Sequence, residues 1–164
     1  MEILNEQQII QKVNRLAFEI FENNHMEKEV QLIGINSTGM KFAKLLQDKL
    51  QSISKIEFPL AQLRINPRDP INPAAKLDIP TQQLVDKTVI IVDDVANSGR
   101  TMFYACKPLM EVLPKKLETV VLVDRTHKNF PIQVNYFGLS LATTLKENIR
   151  VDLLNDGPMS VSME

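Results

Sequence analysis

The sequence predicts an α/β fold, a mostly parallel twisted sheet flanked by helices, and three observations carry that prediction. Apolar segments of strand length alternate along the chain with segments whose apolar residues recur at helical spacing. The run Val89-Ile90-Ile91-Val92 is β-branched throughout, as a strand buried on both faces requires. Neither a linker nor an internal repeat interrupts the alternation, so strand–helix–strand units with right-handed crossovers follow. At 164 residues the chain is expected to form a single domain spanning 1–164.

Each element has its own signal. Asn5 is a natural cap for a first helix whose stripe is Ile9, Ile10, Val13, Leu16, Ala17, Ile20 and Phe21. Val30 to Ile35 reads as a strand, and Gly39 to about Ile53 as a helix with Phe42, Leu45, Leu46 and Leu50 inward. Ile56 to Ile65 is a strand weakened by Pro59. Residues 66 to 82 hold Pro67, Pro70, Pro73 and Pro80 and predict an extended, non-helical segment. Thr88 to Val92 is the central strand, and Ser98 to about Leu113 the helix after it, kinked at Pro108 and stopped at Pro114. Thr119 to Val123, Tyr136 to Leu141 and Ile149 to Leu154 read as later strands, with Gly157 and Pro158 ending the ordered alternation.

Composition narrows the class. The chain is 44% hydrophobic but only 5% aromatic and lacks Trp, so its core is aliphatic with Met as filler. A net charge of −1 argues against general nucleic-acid affinity, which rests on excess Lys and Arg. The lone Cys106 has no partner for an internal disulfide and reads as a buried thiol. With no apolar run long enough to span a bilayer and no signal peptide, a cytoplasmic protein is expected. The aliphatic faces exceed what one small sheet needs, which predicts a homo-oligomer.

The central strand ends in the most informative segment, Asp93-Asp94-Val95-Ala96-Asn97-Ser98-Gly99-Arg100-Thr101. Open α/β sheets bind ligands at the carboxyl ends of their strands. Backbone N–H groups of Asn97 to Thr101, with the Ser98 and Thr101 hydroxyls, suit a phosphate at a helix N-terminus. The carboxylates of Asp93 and Asp94 suit vicinal hydroxyls and would repel a second phosphate. A ribose 5-phosphate satisfies both halves, and the segment resembles the phosphoribosyl-pyrophosphate loop of the type I phosphoribosyltransferases.

Other segments narrow the resemblance. Val123-Asp124-Arg125, His127 and Pro131-Ile132, together with the opening Ile3-Leu4-Asn5-Glu6-Gln7 and Asp78-Ile79-Pro80, resemble the bacterial pyrimidine-operon attenuators that also act as uracil phosphoribosyltransferases. That resemblance spans most of the chain. It implies a type I phosphoribosyltransferase fold with a small hood built from the chain ends. It also implies a pyrophosphate site at the turn Asn36-Ser37-Thr38-Gly39, and a base site that includes Asp124, Arg125 and Leu139.

The departures from that family bear on specificity. The turn 36–39 lacks the Lys and Arg usual there, Ala96-Asn97-Ser98 replaces Leu-Tyr-Thr, and Gly138-Leu139-Ser140 replaces Gly-Lys-Asn. Purine enzymes commonly place an acid where this chain has Asn97 and a Lys where it has Asp124, so a pyrimidine such as uracil is favoured as the base.

The expected reaction joins a nucleobase nitrogen to ribose C1 as pyrophosphate leaves, with Mg²⁺ at Asp93 and Asp94. In it the two aspartates orient the ribose, residues 96–101 hold the 5-phosphate, and an arginine beside or within the proline-rich loop, Arg64 or Arg68, reaches the pyrophosphate. The alternative is a nucleotide-sensing regulator that binds RNA, the less favoured partner, or another protein, with a basic face from Arg100, Lys107, Lys115, Lys116, Arg125 and Lys128.

Overall fold

The structure is a computed structural model that describes residues 1–144 and 146–164. Its elements run β1 (Glu2–Leu4), α1 (Glu6–Asn24), β2 (Val30–Ile35), α2 (Asn36–Ile53), β3 (Leu60–Arg64), β4 (Lys76–Leu77), β5 (Thr88–Ala96), α3 (Arg100–Ala105), β6 (Lys116–Arg125), β7 (Tyr136–Leu141), β8 (Ile149–Asp152) and β9 (Ser160–Met163). Short 3-10 turns lie at Thr81–Leu84 and Pro108–Glu111. Six strands form the main sheet in the order β4-β3-β2-β5-β6-β7, all parallel except β4.

Strand period decides where the core sits. Along β2, β5 and β6 the residues Val30, Leu32, Ile90, Val92, Val120 and Leu122 join one apolar cluster, and Ile33, Ile35, Val89, Ile91 and Val121 join another. Successive side chains point to opposite faces, so a strand buried on both sides must be apolar at every position. The first face is covered by α1 and α2 through Ile9, Leu16, Ile20, Phe42 and Leu46, all fully buried. The second is covered by α3 and the 3-10 turns through Met102, Ala105, Leu109 and Leu84. Each such aliphatic side chain contributes about 1.5–3 kcal/mol of burial.

A second sheet, in the order β1-β9-β8, forms a hood from the two ends of the chain. Its Leu4, Leu153, Met159 and Val161 enter the first cluster, which fixes the hood to the α1–α2 face. Asn5 begins α1 with a complete capping box. Its side chain accepts from the Gln8 N–H at 2.9 Å, and the Gln8 side chain accepts from the Asn5 N–H at 2.9 Å.

Several expected boundaries shift for physical reasons. The helix expected over Ser98 to Leu113 is only α3, six residues, followed by the 3-10 turn. Pro108 has no N–H to continue the ladder, so the chain tightens instead. The Ile56 to Ile65 strand shortens to β3, which starts directly after Pro59. The helix expected from Gly39 starts three residues earlier, at Asn36, whose φ is 54°. Residues 66–82 are non-helical up to Thr81 but contribute β4, an antiparallel edge on β3. Ordered structure does not end at Gly157 and Pro158, since β9 follows them. On α1, Ile10 is exposed and Phe21 half-buried, so the buried stripe is narrower than its spacing suggests. Among the described residues no helix is long and apolar enough to cross a membrane.

Candidate active site

The strand order places a topological switch point between β2 and β5. From β2 the chain moves outward to β3, then returns to the other side of β2 to lay down β5. A crevice opens where neighbouring connections diverge at such a point. The turn into α2 and the carboxyl end of β5 meet there. A Cβ on Gly39 would lie 2.6 Å from the Val92 carbonyl oxygen and 3.4 Å from Asp93 Oδ1, so only glycine lets the helix start rest on the strand end. Gly34 on β2 makes a similar close approach, where an added Cβ would meet Met40 at 2.7–2.9 Å.

Asp93 and Asp94 occupy the end of β5 and face opposite ways, as consecutive strand residues must. Asp93 is 8% exposed and lines a concavity of about 50 Å³ with residues 95–102, the expected phosphate loop. Asp94 is half-buried and lines a second concavity of about 120 Å³ with Thr38, Lys41 and hood residues Asp152 and Asn155. Each carboxylate accepts the next residue's backbone N–H at 2.9 Å, Asp94 N–H to Asp93 and Val95 N–H to Asp94. Burial, and then the charge of Asp94 beside it, push the Asp93 carboxyl well above the usual carboxylate range.

The loop 96–101 is tied down on three sides. Gly99 has φ 85°, a conformation glycine adopts freely, and the loop then enters α3. The Ser98 carbonyl accepts from the Asn129 and Phe130 N–H groups at 2.9 and 3.2 Å, which lays residues 126–132 alongside. Arg125, at the end of β6, donates to Asn97 Oδ1 at 3.1 Å, Thr143 Oγ1 at 2.6 Å and the Thr144 carbonyl at 2.8 Å. Arg100 reaches the other way and donates to the Pro67 carbonyl at 2.6 Å, joining the loop to the proline-rich segment. Asp124 pairs with Lys128 at 2.6 Å, and Lys128 also donates to the Arg125 carbonyl.

The turn 36–39 divides its residues between two spaces. Asn36 accepts the Ile65 N–H and donates to the Ile65 carbonyl, both at 2.9 Å, so its amide clamps the exit of β3. Asn36 and Ser37 line a third cavity, of about 620 Å³, with Gln62, Arg64, Asn66, Pro73 and Lys76. Thr38 faces the hood side instead, where Lys41 donates to Asn155 Oδ1 at 2.6 Å.

The structure therefore brings together Asp93, Asp94, Ala96, Asn97, Ser98, Gly99, Arg100, Thr101 and the 36–39 turn around one crevice, with Arg125 attached through Asn97. Arg68 is exposed and lines none of the three concavities, and neither does Leu139, half-buried on β7 beside Val123. Sequence reasoning missed Lys41, Asp152 and Asn155, because their meeting depends on the hood closing over α2, which no local pattern encodes. It also passed over the anchoring partners Thr143 and Thr144. The ion pair of Asp124 and Lys128 joins a strand end to the loop after it, where an i, i+4 spacing carries no signal.

Among the described residues no group of three or more His, Cys, Asp or Glu side chains is arranged to hold a metal. Mg²⁺ does not require one, since it keeps several waters and commonly binds through one or two carboxylates plus substrate phosphates. Asp94, half-buried and open to the hood-side space, offers such an ion one carboxylate, while Asp93 is turned to the other side of the strand.

Comparisons with known proteins identify the family of the chain. The sequence profile of the family described as "Phosphoribosyl transferase domain" matches residues 1–154. The chain is 34% identical, over 173 aligned positions, to a protein named "Bifunctional protein PyrR" from Alkaliphilus metalliredigens, covering 99% of this chain and 93% of that one. A protein of the same name from Streptomyces coelicolor is 34% identical over 161 positions, covering 94% and 83%. Among solved structures, the hypoxanthine phosphoribosyltransferase of Trypanosoma cruzi superposes with a TM-score of 0.76 at 17% identity, over 98% of this chain and 94% of that one. A hypoxanthine-guanine phosphoribosyltransferase from Bacillus anthracis gives 0.72 at 22%, over 85% and 81%. Those two likenesses establish the fold, whereas the profile match and the PyrR relatives carry the family. A crevice that sets a carboxylate pair beside a phosphate-sized loop thus belongs to a chain that is a member of the phosphoribosyl transferase family, with the bifunctional PyrR proteins as relatives.

Proposed function

We propose that this chain, acting in the cytoplasm as a single unit over 1–164, transfers ribose 5-phosphate from phosphoribosyl pyrophosphate to a nucleobase, with a pyrimidine such as uracil as the favoured base. The observation that carries the reading is the pair Asp93–Asp94, one carboxylate turned to the phosphate loop and the other to the hood. A ribose laid across the carboxyl end of β5 would set its 5-phosphate on residues 96–101, its hydroxyls toward the carboxylates, and its C1 toward the hood and the turn 36–39. The purine specificity of the structural neighbours does not transfer at 17–22% identity.

In this reading the bond between C1 and the base nitrogen forms as the C1–oxygen bond to pyrophosphate breaks, and the ring N–H proton leaves to solvent. The chain contributes position and electrostatics rather than a covalent intermediate. Asp93 and Asp94 orient the sugar hydroxyls, and N–H groups of 97–101 hold the phosphate. The turn Ser37–Gly39 receives the leaving group, and Arg68 is carried to it by the 66–82 loop. Asp124, Arg125 and Leu139 form the base side, with Arg125 orienting Asn97. Asp93 and Asp94 would be the carboxylates nearest a bound Mg²⁺, which would supply charge neutralisation for a departing pyrophosphate.

The second reading, a regulator that binds RNA, takes support from the relatives' name "bifunctional". The proposed basic face is largely engaged within the chain, however. Lys115 pairs with Glu27, Lys116 with Glu118 and Lys128 with Asp124, while Arg100 and Arg125 hold loop segments. Pyrophosphate release from phosphoribosyl pyrophosphate and Mg²⁺ across a panel of uracil, orotate, hypoxanthine, guanine, xanthine and adenine tests the choice. Release with one base supports the enzyme and names its substrate. Silence across the panel, with the sugar phosphate bound, favours the regulator.

A further inference from the structure

Between β8 and β9, at the tip of the hood, Leu154 to Pro158 are all exposed. The loop is fixed at each end by a buried side chain, Leu153 and Met159. Leu154 has φ 50°, a left-handed conformation that bulky L residues rarely hold, so the loop carries strain. Within it lies Asp156-Gly157. Of the five glycines, Gly157 alone directly follows a side-chain carbonyl, since the others follow Ile33, Thr38, Ser98 and Phe137. Glycine sets no side chain beside its own backbone nitrogen and moves freely in φ and ψ. A Cβ added at Gly157 would meet nothing within 4 Å, so the peptide is open on that side. Among the described residues Asp156 forms no ion pair, and neither its carboxylate nor the Gly157 N–H takes part in a hydrogen bond.

The comparable amides are held. Asn36 and Asn97 each precede serine, the next least hindered case. Asn36 accepts from and donates to Ile65 at 2.9 Å, and Asn97 Oδ1 accepts from Arg125 at 3.1 Å. Asn155, beside Asp156, accepts from Lys41 at 2.6 Å and donates to Asp152 at 3.4 Å.

We propose that Asp156 converts spontaneously to isoaspartate in the folded chain, and that the change releases the hood tip from α2. The Gly157 nitrogen attacks Cγ of the protonated Asp156 carboxyl. The N–Cγ bond forms as a Cγ–O bond breaks, and the hydroxyl leaves with the amide proton as water. Water then opens the imide ring. Addition at Cγ restores aspartate, whereas addition at the α-carbonyl carbon leaves the chain running through Cβ and Cγ beside a free α-carboxylate. One water is lost and one gained, so the mass is unchanged. The backbone becomes one methylene longer next to Asn155, whose amide is the hood's 2.6 Å tie to Lys41. The added length also lets Leu154 leave its left-handed φ.

The test is ageing of the full chain for weeks in warm neutral buffer, followed by tryptic digestion. Cleavage after Arg150 frees residues 151–164, and electron-transfer fragmentation locates isoaspartate within them. We expect isoaspartate at Asp156 at unchanged mass, with the peptides of Asn36 and Asn97 intact. Gly157→Ala, whose methyl enters open space, should melt with the wild type and form isoaspartate on the order of tenfold more slowly. In the aged wild type, amide hydrogen exchange should quicken in β8 and in the first turn of α2, while aged Gly157→Ala keeps the pattern of fresh protein. Absence of isoaspartate from 151–164 overturns the inference, whether or not ageing in urea produces it. A mass gain at Asn155 overturns it as well, because the amide would then be the reactive carbonyl. Gly157→Ala that ages as fast as the wild type does the same. Isoaspartate at Asp156 with unaltered exchange around Lys41 overturns the release of the hood.

Discussion

Asp94 and Asp93 differ in what they have left to offer a ligand. Asp93 is almost wholly buried against the start of α2, whereas Asp94 is half-buried and faces the hood space. Asp94→Asn should therefore weaken phosphoribosyl-pyrophosphate binding by about tenfold, the cost of one charged hydrogen bond, and leave the melting temperature nearly unchanged. Calorimetry beside a thermal melt separates the two effects, and unchanged affinity would place the ribose elsewhere. Gly39→Ala should behave differently. Its methyl would collide with the Val92 carbonyl, a backbone atom that cannot move aside, so a loss of about 1–3 kcal/mol in stability should accompany any loss of binding.

Tyr136 is a residue-scale case with a pH signature. Its hydroxyl donates to both Glu118 carboxylate oxygens at 3.0 Å and accepts from Asn23 at 3.2 Å. Burial first, and Glu118's charge with it, push the phenol from 10.0 up to about 12. A folded-state value above the unfolded one means that the stabilisation is complete below pH 10 and is lost as pH rises toward 12. Urea unfolding of wild type and Tyr136→Phe on both sides of that window should show an extra loss of about 1–2 kcal/mol in the wild type alone. Parallel pH profiles would mean that the hydroxyl is already solvated.

At the scale of elements, the open edge of the main sheet is the point most exposed to misassociation. β7 is an edge strand, and Phe137 on it is 40% exposed. Arg15 from α1 reaches over and donates to the Phe137 and Gly138 carbonyls at 3.0 and 2.7 Å, while its other nitrogen pairs with Glu19 at 2.6 Å. A charge laid across unpaired strand groups blocks edge-to-edge pairing. Arg15→Ala should thus raise light scattering on mild heating more than its modest effect on stability would suggest. A variant that stays as clear as the wild type would show that the edge needs no guard.

Legibility also divides by element. Strands β2, β5 and β6 are legible because burial on both faces forces an uninterrupted apolar run, and α1 because a cap and a 3.6-residue stripe are local facts. The segment Asp93–Thr101 stands out in the sequence because one ligand suits both of its halves. By contrast, the hood pairs Glu2 with Ser162 and Leu4 with Val161, and pairing between opposite ends of the chain leaves no local trace. α3 reads longer than it is because its apolar spacing continues past Pro108 while its hydrogen bonds do not. The register of Arg64 with Lys76 is not legible, because a segment that reads as loop separates them in the chain.

For the whole molecule, the ligand is expected to act as a brace among regions that otherwise touch lightly. The loop 96–101 is held by β6 through Arg125 and by the proline-rich segment through Arg100. The hood meets α2 through Lys41 and Asn155, and all of these contacts surround the crevice. A ligand bound only by the folded state adds RT ln(1 + [L]/Kd), about 2.7 kcal/mol at a hundred times Kd. For a chain of this length, each kcal/mol moves the melting temperature by roughly 2–4 °C, which gives a rise of about 5–10 °C with saturating phosphoribosyl pyrophosphate and Mg²⁺. Ribose 5-phosphate at the same multiple of its own Kd should give the same rise, because linkage depends on saturation and not on which contacts supply it. At equal concentration it should give less, since it lacks the pyrophosphate contacts. Differential scanning calorimetry with both ligands checks this. A sugar phosphate that leaves the transition where it was is not held in this crevice, and the assignment of residues 93–101 to the ribose phosphate would fall with it.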